Sequence, residues 1–120
     1  MTRNRSILVV DDDPDILEVL QIALECNDHH IRVAGSCNDA LSIVESGWIP
    51  EIILLDYCMP GMAPEEFVEE LINKAPKNLP RIILMTAAGD AASRARRVGV
   101  PEVLRKPFDA TQVFAQIDSV

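Results

Sequence analysis

The stretch that most constrains this chain is Ile52-Ile53-Leu54-Leu55-Asp56, four large apolar residues running straight into a carboxylate. A strand with one wet face alternates apolar and polar residues, whereas a run that is apolar at every position reads as a strand buried on both faces of a parallel sheet. Met59-Pro60-Gly61-Met62 supplies the turn that follows, which puts Asp56 just past the strand's carboxyl end. Two further runs share this form. Ile7-Leu8-Val9-Val10 ends in Asp11-Asp12-Asp13, and Ile82-Ile83-Leu84-Met85 ends in Thr86. A single acid after a strand often does no more than cap a turn. Parallel neighbours ending this way would instead gather three or four acids and a hydroxyl on one edge of a sheet.

In order, short apolar runs alternate with helical patterns. The first strand is about Ser6 to Val10, and Asp13 as N-cap with Pro14 at the first helical position starts a helix whose Ile16, Leu17, Leu20, Ala23 and Leu24 form one stripe, ending near Cys26. A more polar strand, Ile31 to Ala34, suits a sheet edge. The second helix spans about Asn38 to Glu45 and stops at Gly47; the third opens at Pro64, buries Phe67, Val68, Leu71 and Ile72, and stops before Pro76. The fourth strand follows Pro80. A short fourth helix, about Asp90 to Val98, ends at Gly99 in a left-handed cap, a brief strand covers Val103 to Arg105, and Asp109 with Gln112 makes a capping box for the last helix.

Five strand-then-helix units predict a doubly wound α/β fold, a flavodoxin-like three-layer sandwich whose five-stranded parallel sheet has the order 2-1-3-4-5. In that order the winding reverses between the first and third strands, and ligands bind outside the carboxyl ends at that point. Those ends carry Asp11, Asp12 and Asp56. The length of 120 residues fits one domain, residues 1–120. A net charge of −8 excludes direct gripping of nucleic acid or of an anionic membrane surface, which needs concentrated Lys and Arg. Three widely spaced cysteines, Cys26, Cys37 and Cys58, suit reduced thiols. No stretch has the length of a membrane span or a signal-peptide core, so the expected location is cytoplasmic.

With these residues in place the chain resembles the receiver domain of two-component response regulators, the phospho-accepting module of bacterial signalling. The resemblance rests on Val10-Asp11-Asp12, Leu54-Leu55-Asp56 with Met59-Pro60-Gly61, Thr86-Ala87, and Lys106-Pro107-Phe108, in that order at the ends of successive core strands. It implies that Asp56 accepts the phosphoryl group and that Asp12 ligates magnesium. Asp11 would act as a ligand or through water, and the Cys58 backbone carbonyl would be a further ligand. It implies that the Thr86 hydroxyl and the Ala87 backbone N–H bind the phosphoryl oxygens and that Lys106 pairs with them. Mn2+ would serve in place of Mg2+. The implied partners are a histidine kinase or phosphotransfer protein, docking on the first helix and the loop after the fifth strand, and a downstream target or output domain; a homodimer stays open. The chain departs from the pattern at the switch position, three residues before the lysine, where receivers usually carry Tyr or Phe and this chain has Val103. Valine has no ring to swing, so the usual aromatic coupling is not expected, and a connection from Thr86 to Lys106 about two residues shorter than usual implies a trimmed fourth helix or loop.

The chemistry also follows from the residues. Three carboxylates about 4 to 6 Å apart repel one another by a few kcal/mol per pair, so a proton or a hard cation must join them. Magnesium suits an all-oxygen site that includes a phosphate, and phosphoryl transfer needs positive charge and donors more than covalent help. Two other readings stay open: a degenerate receiver acting as a pure interaction module, and a phosphatase of the haloacid dehalogenase type. The latter wants a second acid two residues after the nucleophile, where this chain has Cys58. Asp28-His29-His30 reads as structural rather than metal-binding, because adjacent residues entering a strand face opposite ways. Arg94, Arg96 and Arg97 read as a solvated helix face, and Cys58, among carboxylates, as passive.

Overall fold

The structure is a computed structural model, and it describes residues 4–87 and 89–119. Among the described residues ten elements alternate: β1 (Ser6–Val10), α1 (Pro14–Cys26), β2 (His30–Ala34), α2 (Cys37–Glu45), β3 (Ile52–Asp56), α3 (Pro64–Lys74), β4 (Arg81–Thr86), α4 (Ala91–Val98), β5 (Glu102–Arg105) and α5 (Ala110–Asp118). All four strand pairings are parallel and the order is β2-β1-β3-β4-β5, as the alternation of apolar runs predicts. β3 lies at the centre with every residue buried.

Because successive residues of a strand point to opposite faces, each apolar run feeds two cores. Leu8, Val10, Ile53, Leu55 and Leu84 pack with Leu41, Phe67, Leu71 and Val98 beneath α2, α3 and α4. Ile7, Val9, Ile52, Leu54, Ile83 and Met85 pack with Leu20, Leu24, Val113 and Ile117 beneath α1 and α5. Truncating a residue such as Leu54, which has no exposed surface, to Ala would cost about 2 to 5 kcal/mol.

Local signals set the helix ends. The Asp13 carboxylate accepts the Asp15 N–H at 3.0 Å and Pro14 occupies the first turn of α1. The Asp109–Gln112 capping box is formed in both directions at 2.9 Å, and Gly99 closes α4 at φ 88°. One helix contact departs from expectation. Ile72 is 46% exposed, because the buried stripe of α3 runs through Pro64, Phe67, Val68 and Leu71, and residue 72 falls beyond its edge. On α1 only Leu20 and Leu24 are fully buried; Ile16, Leu17 and Ala23 are half-buried, and Val19 and Ile22 face outward. Among the described residues no helix is long and apolar enough to cross a membrane.

Candidate acidic site at the carboxyl edge of the sheet

The register brings the strand ends together. Val10 of β1 pairs with Leu55 of β3, and Asp56 with Met85 of β4, so Asp11, Asp56 and Thr86 emerge side by side. The loops are pinned by backbone bonds: Asp11 N–H donates to Ala34 O at 3.1 Å, Tyr57 N–H to Met85 O at 2.9 Å, and Lys106 N–H to Thr86 O at 2.9 Å. Asp11, Asp56 and Thr86 are buried and Asp12 is exposed. One carboxylate oxygen from each of Asp11, Asp12 and Asp56 lies within 4.8 Å of the others. Asp13 stays out of this group and serves α1 as its cap.

Lys106 enters this cluster from the far side. Its ammonium donates to Asp11 Oδ2 at 2.8 Å and to Asp56 Oδ1 at 3.0 Å. The peptide bond joining it to Pro107 is cis. Burial pushes the Asp56 carboxyl above the ordinary carboxylate range; the Lys106 hydrogen bond opposes this, while the charges of Asp11 and Asp12 add to it. Burial works against the Lys106 ammonium, but its bonds to Asp11 and Asp56 outweigh that and hold its pKa above the ordinary value. Cys37, in the core below, is pushed up to about 11 by burial and then by the Asp56 charge.

The arrangement suits a hard divalent cation. Three convergent carboxylates, one of them open to solvent, leave room for the waters and phosphate oxygens that magnesium keeps. The ligand side chains would be Asp11, Asp12 and Asp56, with the Cys58 carbonyl on the same loop. Ala87 follows β4 and is exposed, its N–H in the segment beside Thr86. Residue 88 of that loop lies outside the described residues.

Arg94 was expected on a solvated face, and the structure corrects this. Its Nη1 donates to Thr86 Oγ1 at 3.0 Å and to Cys58 Sγ at 3.5 Å, its Nε lies 3.3 Å from Asp90 Oδ1, and its guanidinium carbon stands 4.4 Å from the centre of the Tyr57 ring. Arg97 Nη1 donates to the Tyr57 hydroxyl at 3.3 Å, while Arg96 is exposed. Cys58 therefore has a guanidinium against its sulfur, in place of a purely carboxylate surrounding. His29 is buried and its Nδ1 accepts the Arg5 N–H at 3.0 Å, a structural role that fits the sequence reading. Val103 is half-buried and packs toward the α2/α3/α4 core.

A family model for the response regulator receiver domain matches residues 7–118. The chain belongs to the receiver family. As a receiver domain it is 30% identical over 118 residues to the phosphate regulon transcriptional regulatory protein PhoB of Escherichia coli, covering 97% of this chain and 51% of that protein. It is 31% identical over 118 residues to the DNA-binding response regulator MtrA of Mycolicibacterium smegmatis, covering 97% and 50%. This receiver domain thus spans about half the length of these relatives. Its fold matches that of the chemotaxis protein CheY4 of Vibrio cholerae with a TM-score of 0.86 at 22% identity, covering 98% of this chain and 99% of that one. Receivers serve signalling in two-component systems, working with histidine kinases and output domains.

Proposed function

We propose that this receiver domain accepts a phosphoryl group on Asp56 from the phosphohistidine of a histidine kinase or a phosphotransfer protein, and passes the signal on by a change of conformation. The observation that carries this reading is the buried Asp56 carboxylate held against the Lys106 ammonium at 3.0 Å, with Asp11 and Asp12 within reach of one shared cation.

An Asp56 oxygen attacks phosphorus, the P–N bond to the donor imidazole breaks, and the electron pair leaves on that nitrogen, which takes up a proton. Asp11 and Asp12 would hold the cation with Asp56. Bound Mg2+, or Mn2+ in its place, would neutralise the carboxylates and the transferring oxygens. Lys106 lies beside the acceptor as its cation, and Thr86 with the Ala87 N–H offers further donors. Self-phosphorylation by small phosphodonors and slow autodephosphorylation are the only turnover this reading includes.

The donor's docking face is the open groove of about 520 Å³ between α1 and the start of α5, lined by Ile16, Val19, Leu20, Ala23, Phe108 and Ala110 and reaching Lys106 at its inner end. The exposed Val19 that lines the groove fits an apolar helical partner. Three free cysteines accord with a cytoplasmic chain, and any nucleic-acid contact belongs to an output domain rather than to this acidic one.

The deciding measurement is intact mass after incubation with Mg2+ and acetyl phosphate. Gain of one phosphoryl group, lost in Asp56→Asn, is the expected result. No gain under any donor would leave the pure interaction module, and steady turnover of a phosphate ester would favour the phosphatase.

A further inference from the structure

Arg94 is held by four partners, three of which belong to the acceptor site or its immediate neighbours. Tyr57 and Cys58 directly follow Asp56, and Thr86 ends the adjacent strand; Asp90 steadies the guanidinium from its own helix, Nε lying 3.3 Å from Oδ1. The ring of Tyr57 at 4.4 Å supports one face, which leaves Nη1 directed at Thr86 Oγ1 at 3.0 Å. Only a quarter of the side chain is exposed. A planar fork with five N–H donors and no acceptor is well suited to such multiple fixing, and a lysine would keep the charge but lack the fork.

The electrostatics give this position a purpose. Three carboxylates face one ammonium in the site, and a phosphoryl group on Asp56 adds further negative charge. A hydroxyl whose oxygen accepts from a cation is polarised into a better donor through its own O–H. Resting on the acceptor reading above, we propose that Arg94 is a second positioning cation for phosphoryl transfer: it acts through Thr86, fixing and polarising that hydroxyl toward the oxyanion on Asp56. Lys106, which follows β5, and Arg94, on α4, then both bring positive charge to the acceptor, the first directly and the second through Thr86. The role is local, since Arg96, two residues on, is exposed.

The test compares initial rates of acetyl phosphate labelling, by intact mass with Mg2+, in wild type, Arg94→Ala, Arg94→Lys, Arg96→Ala, Thr86→Ala and the Arg94→Ala/Thr86→Ala pair, each checked for folding by circular dichroism. Arg94→Ala should slow labelling about tenfold, the order of one hydrogen bond from a charged donor. Arg96→Ala should match wild type. Arg94→Lys should recover part of the loss, and millimolar guanidinium should partly rescue Arg94→Ala but not Thr86→Ala. In the Thr86→Ala background, removing Arg94 should add nothing. Labelling of Arg94→Ala at or above the wild-type rate, or losses that multiply independently in the pair, would overturn the role assigned to Arg94 alone. A wild type that takes no label would instead overturn the acceptor reading, and this one with it.

Discussion

The two edges of the sheet hold charge in opposite ways. At the amino edge, Arg81 at the start of β4 meets Glu102 at the start of β5 in a two-pronged contact, Nε to Oε2 and Nη2 to Oε1, each 2.6 Å. The same guanidinium donates to the carbonyls of Gln116 and Ile117 at the end of α5, at 2.7 and 3.0 Å, and Gln116 Nε2 donates back to Glu102 at 3.0 Å. The Arg81 and Glu102 charges are matched to each other and to the groups of α5 around them. At the carboxyl edge, three carboxylates crowd one ammonium, and the central acid is held above its ordinary pKa. Matched pairs lock geometry and need no ligand; an unmatched cluster keeps repulsion that only a cation or a change of protonation relieves. The difference separates the part of the charge pattern that serves the fold from the part that serves chemistry.

The contrast is broken most completely at Asp56. Replacing it with Asn should abolish phosphoryl labelling, while the melting temperature holds or rises, because the amide keeps the shape and removes a buried charge from a repelling set. Persistent stoichiometric labelling of that variant, read by intact mass, would place the acceptor elsewhere. Next in size, Asp12→Ala should weaken Mg2+ binding by about tenfold or more, roughly 1.4 kcal/mol or greater, measured by titration calorimetry. Its exposed position means that folding stability should shift by no more than about 0.5 kcal/mol. Arg81→Met should do the converse. Loss of the half-buried bidentate pair should cost about 1 to 3 kcal/mol in urea unfolding and leave the labelling rate unchanged.

The smallest effect is in pH, and its sign differs between the edges. Asp56 has a folded pKa above its ordinary 3.8, for which burial is the main cause, so the folded chain takes the proton more readily than the unfolded one. As pH falls through that raised value, Asp56 costs the fold less. Glu102 is held below its ordinary 4.5, chiefly by the Arg81 hydrogen bond, so its contribution is present above 4.5 and fades as pH falls through the lower folded value. Unfolding curves from pH 7 downward should therefore show any stability advantage of Asp56→Asn shrinking as that carboxyl takes up its proton, and the deficit of Arg81→Met closing as Glu102 takes up its own. An advantage or a deficit that stays constant as the pH falls would contradict the sign assigned to that edge.

Most of the architecture was legible because this sheet is read off uninterrupted apolar runs. The strand order, the left-handed cap at Gly99 and the capping box at Asp109 all follow from local residue chemistry, and His30, Cys37, Ala91 and Glu102 each begin an element within one residue of the expected place. The convergence of Asp11, Asp12, Asp56, Thr86 and Lys106 was legible too, since topology alone delivers strand ends to one edge. Arg94 was not. Three arginines within four residues have the composition of a wetted face, and what turns the first inward is the Tyr57 ring on the neighbouring loop, a contact that no local pattern encodes. Ile72 escaped for a related reason: an apolar residue one place past a stripe is buried only if a neighbour covers it.

The placing of Tyr57 has an optical consequence. The chain has one tyrosine and one tryptophan, and they bracket β3: Tyr57 follows Asp56 at the carboxyl edge, while Trp48 precedes the strand at the other and stacks with Arg32 at 4.7 Å. A guanidinium covers the Tyr57 ring and a second arginine holds its hydroxyl, so its near-ultraviolet band should respond to displacement of Arg94. Trp48 stands at the other end of the strand, so its band should change less than that of the tyrosine when Arg94 moves, and the comparison of the two needs no dye.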